Sequence, residues 1–304
     1  MCVTCGCGQG ETTVRRLDDE PAGAPGPTDT HTHADGTTHS HGPGAGHTHD
    51  HPHDHPHAHP HDHAHPHDLQ VPGRDARMVA LEAAVLGKNQ ALAERNRGWL
   101  AGRGVLALNL MSSPGAGKTT LLERCILDLR GQVSVSVVEG DQATAHDAER
   151  IRATGAAAVQ INTGTGCHLE ADMLARALHL LQPARGSLLV IENVGNLVCP
   201  ALFDLGEQAR VVIFSVTEGE DKPLKYPHMF ASADLLLLSK IDLLPHLRVD
   251  LQRMIDNAAQ VNPRLTILPV SAYSGEGLDA WYGWLRAQLS RQLIQQLSEQ
   301  APAA

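Results

Sequence analysis

Seven short apolar runs, each followed by a longer stretch of helical character, set the rhythm of this chain from residue 105 onward. They are VLALNLM (105–111), VSVSVV (133–138), AAVQI (157–161), LLVIENV (188–194), VVIFSVT (211–217), LLLLSKI (235–241) and TILPVSA (266–272). Several are apolar at consecutive positions, the pattern of strands buried on both faces. Strands that alternate with helices must be joined by crossovers, which makes the sheet mostly parallel and covers it with helices on both sides. No internal repeat accompanies the alternation. Ligands of such sheets bind beyond the carboxyl ends of the strands, so chemistry is sought just after each run. Ahead of the first run, Met78, Leu81, Val85, Leu86 and Leu92 recur at near-helical spacing, which predicts an amphipathic helix leading into the domain.

The first run ends in SSPGAGKTT (112–120) and passes into the helical LLERCILDL. A glycine-rich turn between strand and helix lets backbone N–H groups surround phosphate oxygens, here from Gly115, Ala116, Gly117 and Thr120. Lys118 can reach the β/γ-phosphates and the Thr119 hydroxyl can ligate Mg²⁺. Ser112 stands where the motif G-x-x-x-x-G-K-S/T has its first glycine. Two acids follow at strand ends, Asp141 in VVEGD and Glu192 in LLVIENVG; beside a phosphate loop each can hold Mg²⁺ directly or through water, and Gly195 can approach the γ-phosphate. The fold class expected is therefore α/β, a three-layer P-loop NTPase, which the resemblance of these motifs to a known family narrows to the SIMIBI type.

LLLLSKID (235–242) resembles the base-reading N-K-x-D of GTPases. The Asp242 carboxylate can accept from both N1–H and the exocyclic amino group of guanine, whereas adenine offers no matching donor pair. Lys240 would lay its stem along the base. Ser239 replaces the usual Asn and loses an amide that braces the loop. The later PVSAYSGEGLDAW (269–281), with Ser271 and Ala272, looks like the second guanine loop of this class.

Residues 11–70 hold only Val14, Leu17 and Leu69 as large apolar side chains. So little apolar area cannot offset the entropy of ordering, so a disordered segment over 11–70 and one globular domain over 71–304 are expected. Within that segment histidine fills every second position: His47, His49, His51, His53, His55, His57, His59, His61, His63, His65 and His67. Neutral imidazole is a good ligand for Ni²⁺, Cu²⁺ and Zn²⁺, and interleaved Pro and Asp keep the tract extended, so it can chelate several ions without fixed geometry. The chain opens MCVTCGCG (residues 1–8), where Cys2, Cys5 and Cys7 can converge on one ion; with the terminal amine they suit square-planar Ni²⁺, although Zn²⁺ or Cu⁺ would also bind. Cys167 and His168 in GTGCHLEADM, with Cys199 in NVGNLVCPALF, sit after strands and could form one site. Cys125, inside the helix after the phosphate loop, reads as a small core hydrophobe.

These motifs, in this order and spacing, resemble the HypB family, the GTPases that assist nickel insertion into NiFe-hydrogenase. MCVTCGCG, SSPGAGKTTLL, VVEGDQATAHDAERI, INTGTGCHLEADM, IENVGNLVCPALFDLGE and LLLLSKIDLL carry the resemblance over residues 1–10 and 78–290. It implies a slow, Mg²⁺-dependent GTPase cycling between GTP and GDP, a GTP-dependent homodimer, and a tight nickel site at Cys2, Cys5 and Cys7. It also implies a weaker metal site at Cys167, His168 and Cys199, where Ni²⁺ or Zn²⁺ binds, a nickel-delivery partner of the HypA type, and the hydrogenase large-subunit precursor as recipient. The histidine tract resembles the storage extension of some members.

Formal net charge is −10 and no Lys/Arg block occurs, which argues against a nucleic-acid partner. No run approaches a membrane span, and six cysteines without a secretory leader point to metal or reactive thiols in a cytoplasmic protein. Two other readings stand beside this one: the urease-type nickel GTPase, which lacks the cysteine trio and IENVGNLVCP, and a nickel store whose nucleotide domain is vestigial.

Overall fold

A computed structural model describes residues 12–17, 29–32, 38–41, 76–142 and 146–300. Cys2, Cys5, Cys7 and the histidines from His47 to His67 lie outside the described residues. All seven apolar runs form strands. In chain order the elements are β1 (Thr13–Arg16), β2 (Asp29–Thr32), β3 (Thr38–His41), α1 (Ala76–Arg103), β4 (Leu106–Ser112) and α2 (Lys118–Asp128). Then come β5 (Val135–Asp141), α3 (His146–Ala153), β6 (Ala157–Asn162), α4 (Ala171–Leu181), β7 (Leu188–Glu192) and β8 (Ala209–Ser215). Two short helices, α5 (Lys222–Lys225) and α6 (Pro227–Ala231), precede β9 (Leu235–Ser239), α7 (Leu251–Val261), β10 (Thr266–Pro269) and α8 (Leu278–Gln300).

The main sheet has the order β1-β6-β5-β7-β4-β8-β9-β10. Every pairing from β6 to β10 is parallel. β4 lies inside it with all of its residues buried, as a strand covered on both faces must be. On one face Leu106, Leu108, Leu110 and Val190 pack against Leu121, Leu122 and Ile126 of α2 and Trp281 and Leu285 of α8. On the other, Val138, Ile161 and Ile191 meet Leu100 of α1 and Leu174 and Leu178 of α4. Beside them Phe214 and Leu238 meet Phe230 of α6 and Met254 of α7. Each fully buried leucine or isoleucine of these layers contributes roughly 1.5–3 kcal/mol.

Three features differ from expectation. First, residues 13–16, inside the segment expected to be disordered, form the edge strand β1, antiparallel to β6 with Val14 opposite Ile161. Arg15 donates to Gln160 Oε1 at 2.7 and 3.1 Å, and Leu17 is buried. Two apolar residues suffice because the sheet supplies the pairing partners. β1 belongs to the same compact unit as the residues from α1 onward, and the β2–β3 hairpin belongs to a second unit.

Second, Leu81, Val85 and Leu86 are exposed and do not form a core-facing stripe of α1. The helix meets the domain only further along, through Ala93 and Leu100 and two buried amides. Asn89 accepts from Ala171 N at 2.8 Å and donates to Asp204 O at 2.7 Å, while Asn96 donates to Ala171 O and Leu205 O at 2.8 and 3.0 Å. Third, the strands end earlier than their runs: Val216–Glu218 and Ile241–His246 are 3₁₀ turns. Lys240 has φ 62°, which a strand cannot continue through. No described helix is long and apolar enough to cross a membrane.

Candidate functional site

Beyond the carboxyl ends of β4, β5 and β7 lies a cavity of about 470 Å³ lined by residues 114–120 together with Glu139, Asp141, Arg150, Glu192 and Gly195. Gly115 and Gly117 adopt φ 73° and 95°, the left-handed conformation that lets the loop wrap the cavity before α2 begins. Ser112, at the position of the missing first glycine, accepts from Lys118 Nζ at 2.8 Å. Thr119 Oγ1 donates to Glu192 Oε1 at 2.8 Å. Gly195 presses on the loop so closely that a Cβ there would sit 3.1 Å from Pro114 Cα.

The electrostatics of this cavity suit a charged guest. Burial lowers the Lys118 pKa against the opposing pull of Glu192, Asp147, Asp141 and Glu218. Burial likewise raises Glu192, opposed by Lys118 and the Thr119 hydrogen bond. Glu139, which pairs in register with Glu192 on the neighbouring strand, is pushed up to about 8 by burial, then by Glu192 and Asp141. One oxygen of each glutamate, Oε2, is buried without a hydrogen-bond partner. Buried carboxylate oxygens left without donors are what a divalent cation would satisfy, so the set Thr119, Glu192, Glu139 and Asp141 fits Mg²⁺.

A second cavity of about 250 Å³ shares Ala116, Gly117, Thr120 and Lys240 with the first and adds Asp242, Ala272 and Tyr273. Ser239 Oγ donates to Ala116 O at 2.7 Å and Lys240 Nζ to Gly115 O at 2.7 Å. The serine thus restores the brace that its replacement of asparagine was expected to lose. Ser271 does not line the cavity, but its hydroxyl donates to Asp242 Oδ1 at 2.5 Å.

Cys167, His168 and Cys199 converge: their ligand atoms all lie within 4.8 Å of one another, and all three residues are buried. His168 stacks on Phe203 with centroids 4.0 Å apart, and its Nδ1 is 3.7 Å from Cys167 Sγ. Burial pushes its pKa down to about 4, so the ring is neutral near pH 7 and keeps a lone pair for a metal. Two sulfurs and one imidazole form a soft donor set suited to Ni²⁺, Zn²⁺ or Cu⁺. Cys125 takes no part. It accepts from Trp281 Nε1 at 2.9 Å in the core, and burial pushes its thiol up to about 12.

Sequence reasoning named Gly115 to Thr120, Asp141 and Glu192, and these meet around one cavity. It missed Glu139, although VVEGD displays it two residues before Asp141 on the same face of β5. It also missed Arg150, whose guanidinium donates to Thr120 Oγ1 at 3.0 Å and Glu123 Oε2 at 2.5 Å on the cavity rim.

A phosphate loop, two acid-bearing strand ends and a cysteine–histidine cluster that could hold a metal ion define a P-loop nucleotide-binding protein. Residues 106–269 match the CobW/HypB/UreG nucleotide-binding domain. The hydrogenase maturation factor HypB of Rhizobium leguminosarum bv. viciae is 57% identical over 227 residues, 74% of this chain and 76% of its own length. Crystal structures of HypB from Archaeoglobus fulgidus (41% identity, TM-score 0.63, 67% of this chain and 99% of that one) and from Helicobacter pylori in complex with nickel (36%, TM-score 0.63, 71% and 99%) are also similar. The chain belongs to the HypB family of hydrogenase maturation factors.

Proposed function

We propose that this protein is a nickel-handling GTPase that stores Ni²⁺ and delivers it during maturation of NiFe-hydrogenase. The observation that carries this reading is the convergence of Cys167, His168 and Cys199 within 4.8 Å, in the loops that follow β6 and β7, with the end of β7 also bordering the phosphate cavity. In this reading the loop amides from Gly115 to Thr120 and Lys118 hold the β/γ-phosphates and stabilise charge on the transferring phosphoryl group. Thr119, Asp141 and Glu192 hold Mg²⁺, and the chemistry supplied by the bound ion is neutralisation of phosphate charge. Asp242 accepts from guanine N1–H and its amino group, Ser271 fixes that carboxylate, and Lys240 and Ala272 flank the base.

Cys2, Cys5 and Cys7 hold Ni²⁺ tightly, and the histidine tract holds further ions loosely. The internal cluster passes nickel on as the nucleotide changes, with Zn²⁺ as a competitor there. A GTP-dependent homodimer, a HypA-type delivery partner and the hydrogenase large-subunit precursor complete the route. The structural match to a HypB solved with nickel supports the cargo. The intact phosphate cavity argues against a store with a vestigial nucleotide domain.

GTP turnover with Mg²⁺ tests the reading. The wild type should release phosphate slowly and Lys118→Ala at least tenfold more slowly; equal rates would leave storage as the function.

A further inference from the structure

Residues 163–169 lead into and out of the cluster's Cys167–His168 pair, and they are fastened to both acid-bearing strand ends. Thr163 N donates to Asp141 O at 2.9 Å, and Gln142 Nε2 donates to Gly166 O at 3.1 Å. Leu169, fully buried, lies against the strand end between Glu139 and Asp141: a Cβ on Gly140 would sit 2.8 Å from a Leu169 methyl. Its amide donates to Asn193 Oδ1 at 3.2 Å, and Asn193 directly follows Glu192.

Asn193 is itself held at both ends of its amide. Its Oδ1 also accepts from Val194 N at 2.9 Å, and its Nδ2 donates to Asn109 Oδ1 on β4 at 3.2 Å. Asn109 donates onward to Glu207 at 3.3 Å, Arg210 pairs with Glu207 at 2.7 Å, and Arg210 donates to Ala201 O in the turn that carries Cys199. Every link of this path is buried or half-buried. An amide side chain in such a place has no water to fall back on, so movement of one partner must be followed by the others or leave a donor unmet.

We infer that Leu169, clamped by its amide on Asn193 and by its side chain on Gly140, transmits the state of the nucleotide site to the Cys167–His168–Cys199 cluster, with Asn193 as the positioning residue. This rests on the reading of that cluster as the cargo site. Neither residue ligates nucleotide or metal in the inference. Each couples a strand end that holds a carboxylate to the residue next to His168, so a shift of either strand end reshapes the donor set. Coupling between two such sites commonly changes affinity ~5–150-fold.

The test uses the full chain with free Ni²⁺ set by a chelator buffer and nucleotide at saturation. Thiolate-to-nickel charge-transfer absorption of the chain, less that of the same chain carrying Cys167→Ser and Cys199→Ser, reports occupancy of this cluster alone, so nickel elsewhere on the chain does not enter. In the wild type the Ni²⁺ midpoint should differ at least about fivefold between GDP and a non-hydrolysable GTP analogue. In Asn193→Ala, which removes the acceptor for the Leu169 amide, the ratio should fall below about twofold. Leu169→Val keeps the amide but withdraws the side chain from Gly140, should at least halve the ratio, and decides the matter if Asn193→Ala does not fold. A wild-type ratio near one overturns the cargo reading and the clamp together. A wild-type shift that survives undiminished in the folded variants overturns the clamp alone.

Discussion

Replacing Glu139 by Gln should make the nucleotide-free protein more stable at alkaline pH than the wild type and change little at pH 5. In the folded chain this carboxyl is pushed up from the ordinary 4.5 to about 8 by burial, then by Glu192 and Asp141. The folded state therefore holds a proton that the unfolded state releases. Stability linked to the group is fully present below 4.5 and is lost as pH rises through about 8. Each pH unit of separation is worth about 1.4 kcal/mol, which places the loss at pH 8 on the order of 4 kcal/mol. Glu139 lines an open cavity, where a higher effective dielectric brings this nearer 2 kcal/mol. Glutamine keeps the shape and removes the titration. Urea unfolding of both proteins at pH 5, 6, 7 and 8, free of nucleotide and Mg²⁺, gives the difference in stability at each pH. Histidines common to both chains cancel in that difference. It should move by ~2–4 kcal/mol in favour of the variant between pH 5 and 8. A difference flat to within about 0.5 kcal/mol would refute the assignment of a buried, proton-holding carboxyl.

Ser239→Ala removes the hydroxyl that braces Ala116 O at 2.7 Å. A hydrogen bond of this kind is worth about 1 kcal/mol, so fluorescent GDP should bind roughly fivefold more weakly, and unchanged affinity would show that the brace does not shape the site. Cys125, buried under Trp281 with its thiol pushed up to about 12, should resist alkylation in the native protein and react fully in denaturant. Rapid native labelling would place it outside the core.

The parallel sheet was legible because its strands, buried on both faces, write themselves as consecutive apolar residues. β1 was not, because an antiparallel edge strand of four residues needs one inward side chain, Val14, and owes the rest to pairing with β6. The amphipathic reading of α1 failed for a related reason. Leu81, Val85 and Leu86 have helical spacing but precede the point where the helix meets the domain, and contact there is made partly by Asn89 and Asn96. Phosphate-loop residues could be read because their spacing is dictated by the geometry of phosphate. Convergence of Cys167 and Cys199 could only be conjectured, since strands β6 and β7 are separated in the sheet by β5 and nothing local records that their following loops meet. Glu139 was overlooked because Asp141 satisfied the same expectation at the strand end.

The charge balance of the cavity also fixes how its guests must arrive. Without nucleotide, burial draws Lys118 and Glu192 toward their neutral forms and keeps Glu139 protonated near pH 7. Phosphate oxygens favour the lysine charged, and a divalent cation favours the glutamates ionised, so each guest lowers the cost of the other. Nucleotide and Mg²⁺ should therefore bind as a strongly cooperative pair, with a proton expelled from Glu139. At pH 7 a group with a pKa of about 8 is roughly nine-tenths protonated, so release should approach one proton per Mg²⁺–GDP bound. Calorimetry in buffers of different ionisation enthalpy measures that number directly. Glu139→Gln should reduce it by nearly one, and a wild-type binding heat that is the same in every buffer would show that the carboxyl is already ionised and that the cooperativity has another origin.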